Sequence, residues 1–258
     1  GGSRWGLAGC ASVTRGLFAG GYTNSPSATF YSSIEYITIS SGGGTNDFGD
    51  LTYGNYRSAA CNSTTRGLFG GSFAAGFAQT NTIDYVTIAT TGDASDFGDI
   101  SSTRANGGSV SSPTRGLFGG GEGLSVLIDY VTIATKGDGK HFGDLTVARK
   151  EAYGCSSGTR GIFNGGNTPS AVVTIDYVTI ATFGNAADFG DLSLARGSLG
   201  ACSSSTRGVI GGGSIPGGDT NTIDYVTIAT TGNATDFGDM TVARRDMGCC
   251  SDTNGGLG

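Results

Sequence analysis

The phrase Thr-Arg-Gly opens five times along this chain, at Thr14, Thr65, Thr114, Thr159 and Thr206, and a worn sixth copy reads Thr253-Asn254-Gly255. The intervals of 51, 49, 45, 47 and 47 residues define a tandem unit of about 48 residues. A period in that range means supersecondary units that bury their faces against one another. Each unit carries four short pieces with strand character. The first is small and bears a cysteine, as in Gly200-Ala201-Cys202-Ser203, and the second reads as Arg66-Gly67-Leu68-Phe69-Gly70-Gly71. The third is Ile-Asp-Tyr-Val-Thr-Ile from Ile83, Ile128, Ile175 and Ile223, with Ile34-Glu35-Tyr36-Ile37-Thr38-Ile39 in the first unit. The fourth centres on Phe-Gly-Asp and runs on to an arginine, as from Asp188 to Arg196.

Short runs of Val, Ile, Tyr and Thr closed by Gly, Asn and Asp turns suit a four-stranded meander. One such sheet cannot cover both its faces, and radial packing between two neighbours solves that problem. The expectation is an all-β, five-bladed β-propeller of four-stranded antiparallel blades. It spans 1–258 as one domain, with an extra first-strand copy at 244–253. The 49 glycines and 14% charged residues agree with many strands and tight turns.

Spacing inside the unit separates frame from variable surface. From the isoleucine opening the third piece to the phenylalanine of the fourth is 14 residues in all five copies, ending at Phe48, Phe97, Phe142, Phe189 and Phe237. These rings are expected at blade interfaces. The next 7 residues lead to an arginine in four copies and to Asn55 in the first. From the Thr-Arg-Gly threonine to the isoleucine, by contrast, the gap runs 20, 18, 14, 16 and 17. The variable loops are therefore 22–33, 73–82, 122–127, 167–174 and 214–222. One variable loop per blade on a common face is a layout for binding, and Tyr22, Phe30, Tyr31, Phe73, Phe77, Leu124, Asn167 and Asp219 are the candidate ligand-binding residues.

The net charge of −6 and the even spread of 15 Lys and Arg give no basic field for nucleic acid. No apolar run is long enough to insert in a membrane. Cys10, Cys61, Cys155 and Cys202 each stand four residues before a Thr-Arg-Gly, Val110 fills that slot in the third unit, and Cys250 lies near Thr253. Such equivalent positions on separate blades are too distant to bridge, so free thiols are expected; the adjacent Cys249 and Cys250 are the pair able to engage another chain.

A Gly-Gly ending one strand, then a Tyr-bearing strand, an aromatic, a leucine and an arginine resemble the kelch repeat, with Phe where kelch has Trp. The wording Ile-Asp-Tyr-Val-Thr-Ile-Ala-Thr-Thr-Gly-Asn-Ala-Thr-Asp-Phe-Gly-Asp-Met-Thr-Val-Ala-Arg, from Ile223 to Arg244, also resembles repeats in structural and fibre proteins of marine tailed bacteriophages. That resemblance implies a virion or extracellular location and a receptor-binding or structural role. Its implied partners are virion or cell-surface proteins. The alternative is a propeller lectin whose exposed aromatic residues stack on glycans.

Catalytic chemistry finds little purchase. His141, the lone histidine, takes the place of Asp47, Asp96, Asp188 and Asp236 in the other units, and no nucleophile and orienting carboxylate accompany it. No pair of carboxylates from unlike positions suggests glycoside hydrolysis. Asn233, Asp236 and Asp239 loosely follow a calcium loop, but lack alternate ligands and a distal Glu; no cofactor is expected, calcium being the one ion such loops could take. Rings of Arg15, Arg66, Arg115, Arg160, Arg207 and of Asp50, Asp99, Asp144, Asp191, Asp239 recur once per unit, as do Glu35, Asp84, Asp129, Asp176 and Asp224. Identical groups in every blade are expected to be latches, arginine forks meeting carboxylates. Finally, Arg4 to Cys10 and Arg244 to Cys250 share a spacing of six, one first strand more than five slots hold. Loop-closure entropy favours the N-terminal copy, leaving 244–253 displaced as a spare edge for an oligomer or a virion protein.

Overall fold

Why each unit becomes a meander is visible in its pairing, observed in a computed structural model that describes residues 4–251. The first blade is Ala8–Ala11, Arg15–Ala19, Ser33–Thr38 and Asn46–Asp50, hydrogen-bonded in that order. The second comprises Ala59–Asn62, Arg66–Gly70, Thr82–Thr87 and Ser95–Asp99; the third Gly108–Ser111, Arg115–Gly119, Leu127–Thr132 and Lys140–Asp144. The fourth has Tyr153–Ser156, Arg160–Asn164, Thr174–Thr179 and Ala187–Asp191; the fifth Gly200–Ser203, Arg207–Gly211, Thr222–Thr227 and Thr235–Asp239. All neighbours are antiparallel, so the protein is a five-bladed β-propeller with the first strand of each unit innermost. Among the described residues no helix is long and apolar enough to cross a membrane.

The invariant spacing of the third and fourth strands has a local cause. In every blade the register shifts by one residue after the third strand's isoleucine, for instance between Ile83 and Asp84 and between Ile175 and Asp176. A bulge of this kind bends the outer strand and re-aims its side chains. The outer strand's glycine meets the next blade's turn: a Cβ on Gly98 would lie 2.7 Å from the Gly137 carbonyl oxygen, and its φ of +140° favours glycine.

Four apolar cores lie between successive blades. Leu17, Ile34, Phe48 and Leu51 of the first pack with Phe69, Val86 and Ile88 of the second. The same constellation joins the second to the third, the third to the fourth and the fourth to the fifth. Phe48, Phe97, Phe142 and Phe189 are each 2–3% exposed, and burying such a ring is worth roughly 1.5–3 kcal/mol. Phe237 departs from the expectation of burial, being 55% exposed. Its ring meets Tyr225 of its own blade at 5.8 Å, and among the described residues no further blade's third strand covers it.

Closure also differs from the expectation. Ala8–Ala11 does fill the first blade's inner slot, but the C-terminal copy is not displaced. Residues 246–251 run down the axis between the inner strands of the fifth and first blades. A Cβ on Gly9 would lie 2.5 Å from the Cys249 carbonyl oxygen, and one on Gly200 would lie 2.5 Å from Cys249 Sγ. Cys250 Sγ faces Gly16 as Cys10 Sγ faces Gly67 and Cys61 Sγ faces Gly116. The axis therefore has six inner slots around which five blades are hung. Counting first strands against blades misses this, because the inner circle and the blade count are separate quantities. Thr253 lies outside the described residues.

None of the six cysteines forms a disulfide. Burial pushes Cys61 and Cys155 up to about 12, which makes them packing residues with little thiolate character at neutral pH.

Candidate binding face

The latches between blades come first, because they fix what the loops can present. Arg15 Nη1 donates to the Ile88 carbonyl at 3.0 Å while its guanidinium lies 4.6 Å from the Tyr36 ring centroid. Arg66, Arg115 and Arg160 repeat this toward Ile133, Ile180 and Ile228. These arginines thus meet main-chain carbonyls and tyrosine faces, a correction to the carboxylate partners expected of them. The carboxylates bond to the arginine that ends each preceding unit: Arg4 to Glu35 at 3.0 Å, Arg149 to Asp176 at 3.0 Å and Arg196 to Asp224 at 3.1 Å, with Arg104 on Asp129 likewise. Asp84 faces Asn55's unit and bonds Thr52 instead. Burial raises the Asp84 carboxyl above its ordinary range against those hydrogen bonds. These groups hold blades together.

The variable loops rise on one face, together with the turns that enter the inner strands. Isolated bridges tie the two sets, Trp5 with Tyr22, Tyr56 with Phe73 and Lys150 with Asn167. The three longest loops carry small two-stranded ribbons of their own, Tyr22–Thr23 with Thr29–Phe30, Phe73–Ala74 with Ala78–Gln79, and Ser214–Ile215 with Gly218–Asp219.

Over the first two blades these ribbons gather six rings. Tyr22 lies 5.3 Å from Trp5, 5.0 Å from Phe30, 5.5 Å from Tyr56 and 5.5 Å from Phe77; Phe73 stacks on Tyr56 at 5.4 Å. Edge and tilted contacts of this kind add to simple burial. Tyr22 and Tyr56 form the buried base at 6% exposure each, whereas Phe77, at 51%, and Trp5, at 37%, face solvent. Phe77 sits at φ +61°, a left-handed conformation that a bulky side chain rarely takes and that such sites retain where neighbours enforce it.

Beside the rings, six residues turn the chain into the inner circle, all left-handed: Gly6, Arg57, Asn106, Glu151, Ser198 and Asp246. Each amide from Arg57 onward donates to the preceding member's carbonyl, at 2.7 to 3.3 Å. Arg57 reaches across the axis, its Nη1 donating to Asn106 Oδ1 at 3.1 Å and Glu151 Oε1 at 3.0 Å, its Nη2 to Asp246 Oδ1 at 2.9 Å. Burial opposes the Arg57 charge, but Asp246, Tyr153 and Glu151 outweigh it and hold the guanidinium above its ordinary range. Glu122 accepts from Lys150 Nζ at 2.6 Å and from Asn106 Nδ2 at 2.8 Å. Burial pushes the Glu122 carboxyl up, and those two hydrogen bonds with the charges of Lys150 and Arg57 bring it below its usual value. The network plugs the axis on the loop-bearing face. A cleft of about 400 Å³ opens next to it, lined by Trp5, Arg57, Asp219, Arg244, Arg245 and Asp246.

The candidate residues fall into different places. Tyr22, Phe30, Phe73 and Phe77 come together as the aromatic sector. Tyr31 lies under Arg4, 5.3 Å from the guanidinium. Asn167 donates to Glu151 Oε2 at 2.5 Å, Asp219 stands 3.4 Å from Arg245, and Leu124 is exposed on the third blade's short loop. Sequence reasoning passed over Trp5, Tyr56, Arg57, Glu151 and Asp246. For Arg57, Glu151 and Asp246 the signal was present: two residues past the arginine slot the six copies read Gly, Arg, Asn, Glu, Ser and Asp, no two alike. Among the described residues no cluster of three or more His, Cys, Asp or Glu is arranged to hold a metal ion. Asp236 Oδ1 accepts from the Gly238 amide and Asn233 Oδ1 from the Asp191 amide. His141 is exposed on the third blade's outer strand.

Fold and face together define the class, an all-β five-bladed propeller with one non-repeated aromatic and charged sector on its loop-bearing side. No protein-family model matches the chain, and no curated protein matches it.

Proposed function

We propose that the protein is a non-enzymatic interaction module that captures its partner with the aromatic sector of the first two blades. The observation that carries this reading is the convergence of Trp5, Tyr22, Phe30, Tyr56, Phe73 and Phe77 from four chain segments, with the exposed Phe77 held in a disfavoured backbone conformation. Aromatic anchors dominate the binding energy of recognition surfaces, and here they depart from a frame that otherwise repeats. The kelch-like repeat and the likeness of its wording to phage structural repeats support a virion receptor-binding or structural propeller, its partner a cell-surface or virion protein.

A second reading, glycan binding, draws on the same sector. Phe77 and Trp5 are the rings of the sector most exposed to solvent, and Asp219, Arg244 and Arg245 supply hydrogen-bonding groups in the adjoining cleft. A glycan array and a panel of intact marine bacterial cells, each probed with labelled protein, distinguish the two. Binding to either, reduced at least tenfold by Phe77→Ala with an unchanged Tm, is the expected result. Binding that survives both Phe77→Ala and replacement of 73–82 by the short third-blade loop removes the sector from consideration.

A further inference from the structure

The four interfaces between blades are built from one set of contacts, and the fifth blade carries its half of that set with no counterpart against it among the described residues. Arg207 stacks 4.4 Å from Tyr225 as its equivalents do, yet it is exposed, whereas theirs donate to the next blade's third strand. Val209 is half-buried where Leu17, Leu68, Leu117 and Ile162 are fully buried. Phe237 is 55% exposed where Phe48, Phe97, Phe142 and Phe189 are 2–3%. Arg244 is exposed where Arg104, Arg149 and Arg196 each hold a carboxylate of the following blade.

The outer edge tells the same story in backbone atoms. In each of four interfaces the next blade's turn donates two amides to the outer strand, as Gly232 and Ala234 do to the Phe189 and Asp191 carbonyls at 2.7 and 2.8 Å. That turn also supplies an Asp or Asn oxygen to the strand's last amide, Asp93, Asp138, Asn185 and Asn233 in turn. On Thr235–Asp239 the matching positions are the Phe237 carbonyl and the Asp239 carbonyl and amide. The opposite wall, on the first blade, shows Ile39 45% exposed where Ile88, Ile133, Ile180 and Ile228 are 0–1%. It is less specific, since Gly44 stands where the other turns have Asp or Asn. Between the walls, residues 246–251 already follow the inner-strand path of a further unit.

We propose that this sector takes a three-stranded antiparallel polypeptide segment built on the repeat's own pattern, a sixth copy of strands two to four. The exposed edge alone would accept any strand. The fit is narrower because Arg244 calls for an aspartate two residues before the third strand's valine, Arg207 for free carbonyls at that strand's end, and Phe237 for a Val and Ile pair.

The test replaces 252–258 with a copy of 204–240 and follows amide exchange and Tm; the same 204–240 polypeptide is also offered in trans to the 258-residue chain. Expected are slowed exchange across Thr235–Asp239, a Tm raised by several degrees, and 1:1 binding in trans. Arg244→Asp should weaken the trans complex at least tenfold, and placing Arg at the copy's equivalent of Asp224 should restore it. Unchanged exchange at 235–239 with a protease-sensitive graft overturns the proposal. So does a concentration-dependent dimer of the unaltered chain that protects the same strand, which would make a second copy the occupant.

Discussion

At the scale of single residues, identical letters do different work according to what lies beyond them. Phe189 fills the core between the fourth and fifth blades, so Phe189→Ala should lower unfolding free energy by about 3–5 kcal/mol. Phe237→Ala, the same change at a ring open to solvent, should cost about 1 kcal/mol or less. Denaturant unfolding of the two variants checks the contrast, and equal losses would mean that the fifth blade is covered. Arg149 and Asp176 are both 0% exposed, and desolvation opposes the Arg149 charge more than any other influence on it. Asp176→Ala should therefore cost about 3–5 kcal/mol by stranding a buried guanidinium, while Arg149→Met with Asp176→Leu should recover much of that loss. The phenylalanine positions were legible because their spacing never varies. Their surroundings were not, since a repeat pattern states what a side chain is and leaves open whether its neighbour exists.

Elements extend the same lesson to strands and loops. Four strands per unit, their order and their variable connection could be read from alternation, turn residues and gap lengths. The inner-strand path of 246–251 could not, because Met247-Gly248-Cys249-Cys250 holds its place through contacts far away in sequence, Cys249 against Gly9 and Cys250 against Gly16. The axial network escaped for a related reason: Arg57, Asn106, Glu151 and Asp246 meet only once the ring has formed. One of its arms is open to titration. Glu122 has a depressed folded value against an ordinary 4.5, so its contribution is present above about pH 4.5 and is lost as pH falls through the folded value. The stability advantage of the parent over Glu122→Gln should shrink steadily in that acidic window, measured by thermal unfolding at fixed ionic strength. A difference independent of pH would separate Glu122 from the network.

For the whole molecule, the four apolar cores make a continuous arc whose two ends meet, among the described residues, at the axis, through residues 246–251 and the reach of Arg57 to Asp246 and Glu151. Such a joint lies at the shortest radius available to it. Any angular give there is multiplied by the width of a blade before it reaches Thr235–Asp239 on one side and the 39–46 turn on the other. The propeller is in this respect a split ring: five blades joined by four apolar cores, with one mouth spanned at the axis by residues 246–251 and by one guanidinium with two carboxylates, and with a lever arm set by the four strands of a blade.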